Sequence, residues 1–265
     1  MRMMTIASGS SGNCVYIGSD NTHVLIDTGV SRKKIQEGLN KANIDIKDIS
    51  AVLVTHEHMD HIKSLGVLSR KDDIPVYTTK GTWDGILNSP STGNIDHCLF
   101  NQVKPDEEIM INDLVIRPFS VSHDANEPVA YRIECGNKSM AVATDLGFYN
   151  DYIINNLKDC NSLIIEANHD VNLLQVGSYP YYLKQRILSD KGHLSNEASG
   201  RLIDNILNNH CMNVFLGHLS KENNYDKLAF ETVKCEIDMS DSEFKASDFN
   251  ISVAERDTPS RIIEV

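Results

Sequence analysis

The sequence predicts a single α/β domain over residues 1–265, and three features predict it. Short uninterrupted apolar runs rich in β-branched residues, such as Ala51-Val52-Leu53-Val54 and Ser162-Leu163-Ile164-Ile165, read as buried strands. Between them lie stretches with apolar residues three and four apart, such as Ile35 with Leu39, which read as helices packed by one face. The strands also end in polar residues able to bind metal: Asp27, the stretch Thr55-His56-Glu57-His58-Met59-Asp60-His61-Ile62, His123, Asp145 and His218. Groups arriving from five strand ends describe one site assembled from distant parts of the chain.

In chain order, Thr5 to Asn13 carries Gly9, Ser10, Ser11 and Gly12 and reads as a small-residue loop. Its exposed N–H groups can line a phosphate, and a plain turn explains it equally well. Cys14–Gly18 and His23–Asp27 read as a hairpin around Ser19-Asp20-Asn21, with His23 an ordinary surface histidine. Ser31–Lys41 is amphipathic, Ile49–Val54 is a strand, and Ile62–Ser69 continues as a helix after the histidine cluster. Pro75–Thr78 is a short strand, and Gly81–Leu87 a helical turn or two carrying Trp83. His97 has no evident partner. Glu108–Ile111 and Leu114–Phe119 form a hairpin running into Ser122-His123-Asp124-Ala125. Val129–Glu134 and Met140–Ala143 follow, the second ending at Asp145. Ser162–Ile165 runs into Glu166-Ala167-Asn168-His169-Asp170, and Pro180–Leu188 reads as a helix. Gly192-His193-Leu194-Ser195-Asn196 precedes a helix with Leu202, Ile203, Ile206 and Leu207 on its apolar side and Ser195 as N-cap. Val214–Gly217 meets His218, Asp226–Val233 is helical, and Ile251–Ala254 is a last strand before a loose tail with one short hydrophobic segment.

Composition narrows the function. Hydrophobic content of 41% and charged content of 23% are those of a globular protein, and no apolar run approaches membrane-spanning length. A net charge of −12 argues against coating nucleic acid non-specifically, since that needs many cations on phosphate. It leaves room for an enzyme that touches a few phosphates beside bound metal. Six scattered cysteines without a C-x-x-C pair read as reduced thiols, all six as small buried apolar residues, and Met1 to Thr5 has no apolar signal core. A cytoplasmic protein without membrane contact is expected.

The His56 to His61 cluster carries the chemistry. Imidazole and carboxylate are ligands for zinc, manganese or iron. In an extended loop His56 and His58 point the same way and can share one metal, while Asp60 and His61 turn onto the next helix and can face a second. A polar loop with chance histidines is disfavoured by three histidines and an aspartate within six positions.

The spacing His-X-His-X-Asp-His resembles the signature of the metallo-β-lactamase superfamily. That resemblance implies a four-layer αββα sandwich with its site at one edge of two packed sheets. It also implies a ligand set: His56, His58 and His123 on one metal, Asp60, His61 and His218 on the second, and Asp145 bridging. Asp27 would support the site from behind the ligands, although a helix N-cap region before Ser31 explains it as well. Two divalent ions, Zn2+, Mn2+ or iron, about 3.5–4 Å apart would share a water, draw its pKa toward neutrality and give a hydroxide nucleophile.

Within the superfamily the chain is similar to the YycJ/WalJ-type nucleases over nearly its whole length. The matching stretches are Ser8 to Asn13, Thr55 to Ile62, Ser122 to Ala125, Glu166 to Asp170, Gly192 to Asn196 and Gly217 to Ser220. The later ones also resemble the tRNA-maturation nucleases, where a glutamate and a histidine pair and the histidine protonates the leaving oxygen. Carried over, Glu166 orients and charges His193, His193 is the general acid, and Asp60 joins them as a catalytic residue. Ser10, Ser11, Asn13 and His169 are candidate substrate contacts. Only about 20 residues separate Asp145 from Glu166, so the cap domain of the β-CASP nucleases is absent, and no basic arm like that of the tRNA nucleases occurs. The resemblance therefore implies a DNA exonuclease, with nucleic acid as partner. The rivals are a hydrolase of a cyclic phosphodiester, thioester or lactone, and a non-catalytic metal-binding protein, which the complete ligand set disfavours.

Overall fold

The computed structural model describes residues 1–265, and their contacts form two compact units. The first unit comprises 1–120, 125–138 and 255–265. Its strands β1 (Arg2–Ala7), β2 (Cys14–Gly18), β3 (His23–Ile26) and β4 (Ile49–Leu53) are joined in one sheet by β5 (Val76–Thr78), β6 (Phe100–Gln102) and the C-terminal strand Ile263–Glu264. The sheet is mixed: β1, β2 and β3 run antiparallel, and β3 to β6 run parallel. Helices α1 (Arg32–Lys41), α2 (Met59–Ile62), α3 (Leu65–Asp72) and α4 (Lys80–Asn88) connect these strands. Ile35 and Leu39 of α1, Leu65 and Leu68 of α3, and Trp83 and Ile86 of α4 are buried with Ile6, Leu25, Val52 and Val76 of the sheet. Each such burial contributes roughly 1.5–3 kcal/mol. Gly38 lets α1 lie directly on β1, since a Cβ there would meet Ile6 Cγ2 at 2.7 Å. A second, antiparallel layer of β7 (Ile109–Ile111), β8 (Leu114–Ser120) and β9 (Val129–Cys135) completes the unit. Tyr131 of β9 is wholly buried, and its hydroxyl donates to Val54 O at 2.9 Å.

The second unit comprises 121–124 and 139–254. Its strands β10 (Lys138–Ala143), β11 (Ser162–Glu166), β12 (Asn213–Gly217) and β13 (Asn250–Val253) are parallel throughout. They are connected by α5 (Asp151–Leu157), α6 (Val171–Val176), α7 (Tyr181–Ile187), α8 (Asn196–Ile206) and α9 (Asp226–Met239). Strands buried along their whole length, such as Leu163–Glu166 and Val214–Gly217, are what parallel pairing demands, and their near-continuous apolar sequences match it. Helix α8 buries Leu202, Ile203 and Ile206 as expected, with Ser195 Oγ accepting from Ala198 N. Gly200 lets α9 cross close by.

Several elements differ from the sequence reading. Thr5–Ala7 belongs to β1 rather than to a loop. The tail is not loose: Ile263 pairs with Met3, and Val265 N donates to Met1 O at 3.0 Å. Strand β6 and helices α5 and α6 carried too few periodic apolar residues to be seen. The helix expected from Ile62 to Ser69 breaks at Ser64 into α2 and α3. His23 is half-buried and bonds the Tyr16 hydroxyl at 3.0 Å, and His97 sits edge-on to Trp83. All six cysteines are free thiols, but only Cys14, Cys160 and Cys211 are buried; Cys98 and Cys235 are exposed and Cys135 is half-buried, against the expectation of six buried thiols.

Candidate functional site

In an open parallel sheet the carboxyl ends of strands are where polar groups emerge beside a crevice. Both units follow this rule. In the first, Asp27 follows β3 and Thr55-His56 follows its parallel neighbour β4. In the second, Asp145 follows β10, Glu166 ends β11 and His218 follows β12. Asp27, Asp145 and His218 all adopt the left-handed backbone, with φ of 61°, 58° and 55°. That conformation costs a non-glycine residue about 1–2 kcal/mol, and it concentrates where function overrides comfort.

In the first unit, Asp27 is the anchor. Its Oδ1 accepts from Thr55 N at 2.9 Å, and its Oδ2 accepts from Thr55 Oγ1 at 2.8 Å and from His61 Nδ1 at 2.8 Å. With the threonine hydroxyl donating to Asp27, its oxygen accepts from His56 Nδ1 at 3.0 Å. Both imidazoles therefore carry their proton on Nδ1 and keep Nε2 as a lone pair, the tautomer a metal ligand needs. Asp27 thus acts on His61 directly and on His56 through Thr55, and the N-cap of α1 is Ser31 instead. His56 Nε2 lies 3.1 Å from His58 Nδ1, close to the ~3.3 Å expected between two nitrogens on one tetrahedral zinc at a Zn–N length of about 2.0–2.1 Å. Asp60 Oδ2 is 3.6 Å from His61 Nε2.

The glycine-rich loop braces this group from below. Asn13 N donates to Asp60 O and Thr28 N to His61 O, at 2.8 and 2.7 Å. The contact is so close that a Cβ on Gly29 would stand 1.6 Å from Asp60 O. Asn13 is buried, its Oδ1 accepting from Gly9 N and its Nδ2 3.1 Å from His61 Nε2, whereas Ser10 and Ser11 are exposed.

In the second unit, three imidazoles surround the Asp145 carboxylate: His218 Nε2 at 3.5 Å, His123 Nε2 at 3.7 Å and His193 Nδ1 at 3.7 Å from Oδ1. His123 Nδ1 donates to Gly192 O at 3.1 Å, which again leaves Nε2 for a metal. Burial pushes the His123 imidazole below its usual pKa, with Asp145 opposing, so the ring stays neutral and able to ligate. Glu166 is wholly buried and does more than the sequence suggested. Its Oε1 accepts from His193 Nδ1 at 2.8 Å and from His218 Nδ1 at 2.9 Å, and its Oε2 accepts from Leu146 N and Leu194 N. Burial alone would raise its pKa; the two imidazoles outweigh burial and bring it down to about 2. One carboxylate therefore fixes both rings. Ligand atoms of Asp145, Glu166, His193 and His218 lie within 4.8 Å of one another, a donor set chemically suited to a divalent ion.

Two contributors escaped the sequence reading. Thr55 links Asp27 to His56, and Asn168 Nδ2 donates to His218 O at 2.9 Å. Their adjacency to the cluster and to Glu166 was the only signal. His169 is 1% exposed, and neither ring nitrogen has a partner. Burial lowers its pKa to about 4.

A family model described as "Beta-lactamase superfamily domain" matches residues 22–211. The protein named exodeoxyribonuclease YycJ of Bacillus anthracis is 37% identical over 237 residues, 86% of each chain. The exodeoxyribonuclease WalJ of Streptococcus pneumoniae serotype 2 is 39% identical over 260 residues, 98% of this chain and 96% of that one. Among solved structures, Zn2+-bound PqqB from Methylobacterium extorquens covers 100% of both chains with a TM-score of 0.72 at 14% identity, a likeness of fold alone. The fold is the α/β sandwich of mixed sheets flanked by helices.

Proposed function

This chain belongs to the metallo-β-lactamase superfamily and, within it, to the family of the YycJ and WalJ nucleases, and from that premise we propose that it is a DNA exonuclease working as a dinuclear metal phosphodiesterase. It is a metal-dependent hydrolase. The proposed ligands are those of the family pattern: His56, His58 and His123 for one ion, Asp60, His61 and His218 for the other, with Asp145 between them. Bound divalent ions of this kind activate water near neutral pH and neutralise charge on a phosphodiester.

The observation that carries the reading is the 2.8 Å bond from His193 to Glu166. Glu166 holds the His193 proton on Nδ1, which leaves Nε2 to carry a second, mobile proton. His193 is also the most exposed of the three imidazoles around Asp145, its side chain 18% accessible against 1% and 3% for His123 and His218. In the proposed reaction the Nε2 proton passes to the sugar oxygen as its bond to phosphorus breaks, and Glu166 stabilises the imidazolium beforehand. Asp27 and Thr55 hold ring orientation rather than touch substrate. In the same reading Asp60 belongs to the catalytic group and Ser10 and Ser11 border the substrate, while His169 is buried. The protein works in the cytoplasm.

The acidic balance, 37 Asp and Glu against 25 Lys and Arg, favours a second reading: a hydrolase of a small phosphodiester, thioester or lactone. A substrate panel separates the two. End-labelled DNA should shorten progressively from an end in Mn2+ or Zn2+, faster than RNA of the same sequence. Intact DNA beside rapid hydrolysis of a cyclic phosphodiester, thioester or lactone would establish the second reading instead.

A further inference from the structure

The segment from Val171 to Lys191 leaves the second unit's polar group at His169 and returns to it at His193. It holds α6 and α7, tied together by hydrogen bonds. Asp170 caps α6 through Leu173 N, and its own N–H donates to Asn223 O. Lys184 Nζ donates to both Gln175 O and Gly177 O at 2.7 Å, fastening α7 to the end of α6. At the far end His193 N donates to Ile187 O.

Among polar neighbours such as Gln175, Gln185 and Arg186, this frame also exposes large apolar side chains. Val176 is 82% exposed, Tyr181 76% and Tyr182 74%. Five of the nine tyrosines in the chain fall between positions 149 and 182. Gln175, Tyr181, Lys184, Gln185 and Leu188 line a cavity of about 320 Å³, at the lower end of small-ligand sites and roomy enough for one nucleotide. An exposed apolar cluster on a braced hairpin has no packing role and marks a binding surface. Its charge runs against that of the chain: Lys184, Arg186 and Lys191 face a single acid, Asp190, within a protein of net charge −12. Arg186 is engaged by Asp124, and Lys191 is exposed two residues before His193. At the foot of the hairpin stands the buried His169 with both ring nitrogens unpartnered.

Flat aromatic faces beside cations are the recurring surface for unpaired bases on a phosphate backbone. We infer that the α6–α7 hairpin is a stacking platform for single-stranded DNA, with Tyr181 and Tyr182 taking bases and Lys191 meeting the backbone on the way to His193. The inference rests on the nuclease reading for its choice of ligand. It goes beyond that reading by assigning strand capture to residues outside the metal and acid groups.

The test is fluorescence anisotropy of a labelled oligothymidylate with the full chain in chelator, so that the strand is not consumed. Tyr181→Ala and Tyr182→Ala should each weaken binding by about 5- to 150-fold, the cost of one lost stack. Tyr181→Phe keeps the ring and should bind like the parent. Turnover of bis-p-nitrophenyl phosphate by the metal-loaded alanine variants should be unchanged, because that ester needs no strand platform. Unaltered oligothymidylate binding in both alanine variants would overturn the platform, as would an equal loss of bis-p-nitrophenyl phosphate turnover. A parent protein that binds oligothymidylate through Tyr181 yet never shortens it would remove the exonuclease reading and leave the platform standing.

Discussion

His193→Ala is expected to keep the fold and the metals while losing about 10²- to 10⁴-fold in rate on DNA, the usual worth of general acid help. The loss should be far smaller on a p-nitrophenyl ester, whose leaving group departs with little protonation. The ring is partly exposed and hangs from Glu166 by one bond, so its removal leaves no cavity in the apolar core. Glu166→Gln should behave differently from a weaker copy of it. Glu166 also holds His218, and a buried amide would turn an N–H toward rings that already donate. That variant should therefore lose rate through His193 and also metal affinity by about 10–100-fold through His218. Equal losses of His193→Ala on both substrates would make His193 a substrate-binding residue. Metal loss in the same variant would make it a ligand, an arrangement the close set of Asp145, Glu166, His193 and His218 can also support.

Asp145 carries the second large effect. Asp145→Asn should lose metal content and activity together, by more than the roughly 10–100-fold that removing a group behind the ligands costs, as Asp27→Ala would. The carboxylate is buried among three imidazoles, and an amide offers them neither charge nor a second anionic oxygen. Asparagine is the better probe because position 145 has φ of 58°, which Asn tolerates and Ala does not. Asp145→Ala should lose the same activity and about 1–2 kcal/mol of stability besides, read from denaturant unfolding. Full metal content in Asp145→Asn would remove the bridging role.

The strand ends were the legible part of this protein. β11 and β12 are buried throughout and β4 at all but Ser50, so their sequences are largely apolar and the polar residue that ends or follows each one stands out. His56 and His218 stood out on that contrast, while Asp145, a possible turn residue by itself, and Glu166 needed the family resemblance as well. Asp27 could not be decided from sequence, because a strand end and a helix start lie four residues apart there; its bond to His61 decides it. The second bond of Glu166, to His218, joins residues 52 apart and leaves no local trace. The C-terminal strand was hidden for the same reason, since its partner is β1 at the other end of the chain. Helices α5 and α6 are short and bury only Ile153, Leu157 and Leu174 between them, too few for a periodic signal.

The most direct measurement is a metal titration of the purified protein. Elemental analysis should find about two transition-metal ions per chain, chelation should abolish hydrolysis of end-labelled DNA, and activity should return in proportion to Zn2+ or Mn2+ added back, reaching its plateau near two equivalents. A preparation free of metal and fully active would contradict the account.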